Sequence, residues 1–596
     1  MALALHRTLF LLPLLLVTVH SQLFPNNPFF GGSNEDEDND PGLKLPGINS
    51  PLFGGSTMGD VDKFDPGANP PYETNYKGSW ILVSADSGAN AMHVNLLPNN
   101  KVILFDATAF HMSTVKLPHG ECIPYKDDKK VNRVDCWSHG TEFDIQSAGK
   151  RPLKVVWDPW CSSGGLAADG TLISSGGWLK GARTVRYMGT CKGCDFIEYP
   201  TALADARWYA TQVTLADGRF FVVGGRKSYS YEYIPEEGQT NAQSIKFQFL
   251  YETSDVDENN LYPFVHLSSD GNLFIFANDR SVLLNPKTNK IIKEFPVLDG
   301  GSRNYPASGM SAILPIKLYV QNAEVIPIEV IVCGGAKPES YAKAEKGIFL
   351  PALQDCNRLE ITKPDAKWET EMMPTRRVMG DMLIVPNGDL LILNGATLGT
   401  SAWYSADDPN LTPVLYGPNK PAGQRFKELA PTLIPRMYHS TAALLPDGKI
   451  LVGGSNPNAG YNFTAKYPTE MRIEKFIPPY LDPALDIHRP MIMEESSVDA
   501  LTYGQNFEVQ FRLFEIFLDK RDIEVSMYAP PFTTHGYSMN QRLLFLGKVD
   551  VDKVLPGIHK IEVVAPPNSA IAPPGYYLIF VVYRGVPSAG MWVTIK

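Results

Sequence analysis

"LADGRFFVVGG", residues 215–225, decides the fold. An Asp-Gly pair stands ahead of an aromatic and β-branched run, and the run ends on two glycines. Asp-Gly between apolar segments is a strong hairpin signal, because a tight two-residue turn needs positive φ at its centre. The unit recurs as "LPNNKVILFDA" at 97, "AADGTLISSGG" at 167, "SSDGNLFIFAN" at 268, "EVIVCGG" at 329, "VPNGDLLILNG" at 385 and "LPDGKILVGGS" at 445. Hairpins repeating at about 50-residue intervals mark a repeat architecture in which each copy buries its apolar face against the next. The expected fold is therefore all-β: a β-propeller of antiparallel four-stranded blades around a central channel.

Seven such hairpins, often with Gly-Gly endings, form a Kelch-like signature and set the expected blade count at seven. The propeller is assigned residues 76–477. From 478 to 596 the Gly-Gly pattern disappears. "NFEVQFRL", "DIEVSMYA", "HKIEVVAP" and "GYYLIFVVY" there read as strands between Pro and Gly turns, as in an immunoglobulin-like β-sandwich. Ahead of the propeller, residues 23–75 are rich in Pro, Gly and Asn and include the acidic run "NEDEDND", which predicts a flexible arm. Residues 1–22, "MALALHRTLFLLPLLLVTVHSQ", have the basic start, short apolar run and small-polar end of a secretory signal peptide. That run is too short to span a bilayer, so the expected product is extracellular, with no membrane partner.

The 596-residue chain carries a net charge of −10 and no basic stripe, which argues against a nucleic-acid partner. The acidity fits a soluble protein, here expected to be a monomer. Acceptor triplets for N-glycans stand at Asn410 and Asn462. The seven cysteines are an odd number for a secreted chain. Proximity suggests pairs Cys122–Cys136, Cys191–Cys194 and Cys333–Cys356, which leaves Cys161 over. The CxxC at 191–194 has no second CxxC or histidine pair to make a zinc site, so a tight disulfide is expected there.

Cys161 stands eight residues before its turn aspartate Asp169, Tyr209 eight before Asp217, and His439 eight before Asp447, with Tyr438 one step earlier. Equivalent hairpins would place these side chains at one height, facing the same mouth of the channel. Other units put Tyr262 and Met379 at that offset, so the register alone does not demand a metal. Imidazole with phenolate suits Cu(II), whereas structural zinc favours several thiolates. A copper site wants a second histidine, and His535 in "APPFTTHGYSMNQR" offers one from a Pro- and Thr-rich loop. His93, His111, His119, His139, His266 and His559 are other histidines that periodicity leaves open.

Four stretches, "WCSSGG" at 160, "ARWYATQVTLADGRFFVVGG" at 206, "RMYHS" at 436 and "TTHGYSMNQR" at 533, together resemble the copper radical oxidases. That is the galactose oxidase and glyoxal oxidase family, and the likeness is greatest to the plant-type glyoxal or aldehyde oxidases. It extends over nearly all of the mature chain. The resemblance implies that Tyr209 is an equatorial copper ligand joined to Cys161 by a thioether, and that this protein-derived Tyr-Cys cofactor carries the radical. It makes His439 and His535 the nitrogen ligands, and Tyr438 the axial ligand and general base. It implies oxidation of a small aldehyde, as its hydrate, to a carboxylic acid, with O2 reduced to hydrogen peroxide. A two-electron oxidation exceeds one Cu(II)/Cu(I) couple, and a sulfur-substituted phenol is a second one-electron store. Coordination also lowers a phenol's pKa from about 10, which readies a tyrosinate to take a proton. One departure stands out. Galactose oxidase has a tryptophan after the Gly-Gly of the radical-tyrosine blade, whereas this chain has "GGRKSYSY", leaving Trp178 or Trp208 to cover the ring. Two other functions fit parts of the pattern: the same site turned to primary alcohols or galactose-type substrates, and a non-catalytic Kelch module that binds cell-wall polymers.

Overall fold

Each Asp-Gly or Asn-Gly turn closes a hairpin whose first strand is almost wholly buried, and two outer strands complete each sheet. Ala210–Thr214, Phe220–Gly224, Ser230–Tyr233 and Ile245–Lys246 form one such antiparallel sheet in simple meander order. The computed structural model describes residues 68–127, 129–319 and 325–596. The expected signal peptide and the acidic run lie outside the described residues. The part of the expected arm that is described is held in place: Asn69 hydrogen-bonds the Asp522 carboxylate, and Tyr72 stacks on His488 at 4.2 Å.

The first strands of successive sheets pack side by side. Ser163–Leu166 lies beside Ala210–Thr214, which lies beside Phe264–Leu267; then come Met310–Ile313, Asp381–Ile384, Ser440–Leu444 and His93–Leu96. The sheet of Ser440–Leu444 takes its outermost strand, Ser79–Ser84, from the start of the described chain, so one sheet is shared between distant sequence ends. Sequence periodicity did not reveal that closure, because the pairing strand carries no Gly-Gly signature.

A second repeat lies beneath the hairpins. Arg207, Arg303 and Arg436 are fully buried, and each donates to the carbonyl of a glycine at the end of a second strand: Gly224, Gly334 and Gly454. Arg377 does the same to Asn394, which precedes Gly395. Glu232, Asp355 and Glu474 pair with the first three guanidiniums, at 2.8, 2.7 and 3.0 Å. A buried arginine is tolerated only when paired and hydrogen-bonded in this way, and removing one partner costs several kcal/mol. The Gly-Gly endings thus mark where an arginine from the preceding loop locks onto backbone.

The C-terminal part has two sheets. One runs Met491–Ile492, Asn506–Arg512, Ile558–Val564, Gly547–Leu555; the other centres on Ile523–Ala529 and Gly575–Tyr583. Their alternating buried residues build the layered core expected of a sandwich. One hairpin leaves this layer: Phe532–Thr534 and Tyr537–Met539 pair onto His93–Leu96, with His93 opposite Thr534. It reaches the first strands on several sides, touching those at 163–166, 381–384 and 440–444. The stretch expected to be a Pro- and Thr-rich loop is therefore a strand hairpin. Its turn is His535-Gly536, with φ of 52° and 77°, the doubly positive pair of a type I′ turn. A Cβ on Gly536 would sit 2.5 Å from the Gly380 carbonyl, so only glycine fits where the tip meets the neighbouring wall.

Candidate metal centre

The register read from the turns is a backbone feature. Cys161, Tyr209, Tyr262, Ser308, Met379 and His439 all have positive φ, each one or two residues ahead of a first strand. Left-handed backbone costs a non-glycine residue about 1 kcal/mol or more, and it persists where the surroundings fix it. Here neighbouring kinks fix one another. The Tyr209 amide donates to the Cys161 carbonyl at 3.1 Å, the Tyr262 amide to Tyr209 at 2.9 Å, and the Met379 amide to Ser308 at 2.7 Å. The kinks turn their side chains toward one another at the end of the channel.

There the structure brings together the five sequence-predicted residues: Cys161, Tyr209, Tyr438, His439 and His535, all buried. Cys161 Sγ lies 3.2 Å from His535 Nε2, and one ligand atom each from Cys161, His439 and His535 falls within 4.8 Å of the others. The ring centroid of His535 is 4.8 Å from His439, 5.4 Å from Tyr438 and 5.7 Å from Tyr209.

The polar bookkeeping points to a cation. Both ring nitrogens of His439 are buried and have no hydrogen-bond partner. An imidazole left so pays a desolvation penalty that a metal bond would remove. For His535 the tautomer follows from its neighbour. Thr534 Oγ1 donates to the Met92 carbonyl at 2.9 Å and accepts from His535 Nδ1 at 2.7 Å, which leaves the Nε2 lone pair on the site side. Desolvation pushes both histidines well below their ordinary pKa, so each is a neutral ligand. Burial, with repulsion from neighbouring Cys161 and Tyr305, raises Tyr209 and Tyr438 well above the usual phenol range. A divalent cation inverts that logic and favours the phenolates. Two imidazoles, two phenols and a thiol are a donor set for copper rather than for a hard oxygen-seeking ion.

The other histidines have other partners. His111 Nδ1 and His139 Nε2 both hydrogen-bond Asp135, His266 meets Ser311 at 2.8 Å, and His559 meets the Leu513 carbonyl. His93 comes nearest, with its ring 6.4 Å from that of His535, but its Nδ1 faces the Phe105 carbonyl at 3.0 Å. His119 is exposed on a loop. The three cysteine pairs form as expected, and Cys161 remains free.

Of the two tryptophans expected to cover Tyr209, Trp208 touches it at 4.7 Å with a 43° tilt, and Trp178 packs on Trp208 at 4.1 Å. Neither is the stacked ring. That ring is Tyr305, 4.3 Å from Tyr209 with 23° between planes. Its hydroxyl donates to Tyr209 Oη at 3.2 Å and lies 3.0 Å from Tyr438 Oη. Sequence reasoning missed it because its hairpin has a long connection and no Asp-Gly turn to count from. The buried arginines would have found it: Arg207-x-Tyr209, Arg303-x-Tyr305, Arg377-x-Met379 and Arg436-x-Tyr438 share one spacing.

The two glycan acceptors differ. Asn410 is 8% exposed, and its amide nitrogen donates to Thr375 Oγ1 and the Arg376 carbonyl, so a glycan there would break two hydrogen bonds in a buried position. Asn462 is half-exposed, beside Phe463, which is 53% exposed. Glycopeptide mapping of secreted protein should find Asn462 occupied and Asn410 bare; a glycan on Asn410 would contradict the packing described here.

Comparison with known proteins bears on this geometry. The profile described as glyoxal oxidase N-terminus matches residues 92–480, and that of the galactose oxidase-like early set domain matches 489–595. The chain is 56% identical over 526 residues to aldehyde oxidase GLOX1 of Arabidopsis thaliana, covering 88% of this chain and 85% of that one. It is 40% identical to aldehyde oxidase GLOX of Vitis pseudoreticulata, covering 87% and 97%. Among solved structures, a fungal alcohol oxidase of the AA5 family in complex with copper superposes with a TM-score of 0.66 at 19% identity. That match covers 87% of this chain and all of the fungal one, and it shows a shared fold.

Proposed function

The chain belongs to the glyoxal oxidase family, and from that premise we propose a secreted copper radical oxidase that converts small aldehydes of the glyoxal and methylglyoxal kind to carboxylic acids while O2 becomes hydrogen peroxide. The observation that carries this reading is His439, buried with both ring nitrogens partnerless beside Cys161 and His535. His439 and His535 provide the nitrogen ligands. Tyr209 and Tyr438 would provide the oxygens, and Cys161, buried and free beside them, would be the sulfur joined to a Tyr209 ring carbon in the mature cofactor.

Copper held there supplies a one-electron couple, and the sulfur-substituted Tyr209 ring stores the second oxidising equivalent that a two-electron oxidation needs. With that centre formed, Tyr438 Oη would be placed to take the proton from one hydroxyl of the hydrated aldehyde, and Tyr209 Oη to take the hydrogen from its carbon. One hydrated aldehyde and one O2 thus give one acid and one hydrogen peroxide, with two electrons and two protons transferred. Trp208, packed on Tyr209, and Trp178 behind it keep water from the ring.

The sheets are read as seven blades of a Kelch-like propeller over 76–477, with an immunoglobulin-like sandwich over 478–596; the side-by-side order of the first strands supports this. The apolar run within residues 1–22 and three disulfides support an extracellular site, and the enzyme is read as a monomer. No helix among the described residues is long and apolar enough to cross a membrane.

Peptide mapping of copper-treated protein tests the cofactor: the Cys161 and Tyr209 peptides should be recovered joined, lighter by two hydrogens. Separate, unmodified peptides would favour a non-catalytic module. A peroxide-coupled panel of methylglyoxal, glycolaldehyde, galactose and benzyl alcohol tests the substrate class. Turnover confined to the alcohols would replace the aldehyde reading with an alcohol oxidase.

A further inference from the structure

Tyr305 has no part in the ligand set, yet it is the residue most closely fitted to the ring that would carry the radical. Its plane lies 23° from that of Tyr209 at a centroid distance of 4.3 Å, whereas the other rings around Tyr209 meet it tilted or edge-on. It also meets Tyr438 and His535, with centroids 6.1 and 5.7 Å away. A hydroxyl has one proton to give and two lone pairs to offer, so one group can serve two phenol oxygens. Tyr305 Oη does so, reaching both Tyr209 and Tyr438.

Its own placement is secured from below. Its amide donates to the Leu261 carbonyl and its carbonyl accepts from the Leu261 amide, a small two-way bridge. Two residues earlier, Arg303 is locked onto Gly334 and Asp355. The side chain is half-buried.

We propose that Tyr305 is a positioning residue of the oxidase: its ring shields the Tyr209 radical by stacking, and its hydroxyl sets the spacing of the Tyr209 and Tyr438 oxygens. The proposal rests on the copper radical reading given above. An offset-parallel aromatic pair gains beyond simple burial, and an electron-poor ring gains more from a polarisable neighbour. The two functions are separable by substitution. Tyr305→Phe keeps the ring and loses the hydroxyl. Tyr305→Met fills similar space and has no π face.

The test uses full-length, copper-loaded protein oxidised with a one-electron oxidant such as hexacyanoferrate(III), followed by the radical absorption and its decay. Cupric electron paramagnetic resonance and a thermal melt are recorded alongside. Tyr305→Met should shorten the radical half-life by about tenfold with an unchanged melt. Tyr305→Phe should restore the half-life to within about twofold of the parent yet lower kcat about tenfold, with KM little changed, as expected when an oxygen used in the transition state is no longer held. If Tyr305→Met holds its radical as long as the parent, shielding is wrong; if Tyr305→Phe turns over like the parent, the hydroxyl's role is wrong. Should Tyr305→Met not fold, Tyr305→Leu carries the shielding test by the same half-life, which falls about tenfold if stacking is what matters and stays near the parent's if it is not. A parent protein that forms no radical at all would instead sink the oxidase reading, and this one with it.

Discussion

Tyr209→Phe abolishes turnover and the radical absorption while the protein remains folded. The substitution removes one oxygen from a ring that is 5% exposed. That oxygen is a proposed copper ligand, the acceptor of the substrate hydrogen and part of the redox-active phenol. Loss of a group that acts only in the reaction lowers kcat and kcat/KM together, here by at least about a thousandfold. Stability should hardly move. The hydroxyl's partner is Tyr305 Oη, which keeps its contact with Tyr438, and one neutral hydrogen bond contributes about 1 kcal/mol. Peroxide release with methylglyoxal and a thermal melt, on the same preparation, check both halves. Residual activity within tenfold of the parent would refute the radical assignment.

His439→Ala has the second-largest expected effect, and it falls on copper affinity. This imidazole makes no hydrogen bond through either nitrogen, so its removal orphans no buried partner. The metal-free protein loses chiefly the 3.8 Å stack on Tyr438. Metal that binds only the folded state stabilises it, and a hundredfold loss of affinity removes about 2.7 kcal/mol of that stabilisation. The metal-free melts of parent and variant should therefore nearly coincide, while the upward shift on adding copper is lost in the variant. An equal shift in both would place the metal elsewhere. His535→Ala offers a contrast: it also empties a turn packed against Gly380, so its metal-free melt should fall as well.

The fold and most of the site were legible in the chain because the signals are local. Asp-Gly turns, apolar runs and Gly-Gly endings each act within about ten residues. The eight-residue offset that aligned Cys161, Tyr209 and His439 coincides with a left-handed kink that Tyr262 and Met379 share. His535 was reached by resemblance, since its part depends on a hairpin leaving one layer to pair with His93–Leu96, more than four hundred residues away. Tyr305 escaped because the offset was counted from turns, and its hairpin has none; the buried Arg-x-Tyr spacing was present and unread.

By itself the sequence determined the strand repeat, the odd cysteine and the chemistry of the donor groups, since these follow from residue type and short-range geometry. Only the tertiary structure decided which ring lies flat on Tyr209, which histidine nitrogens are left without partners, and that Asn410 is sealed in. Those are matters of contact between segments remote in the chain, where packing rather than local preference sets the outcome.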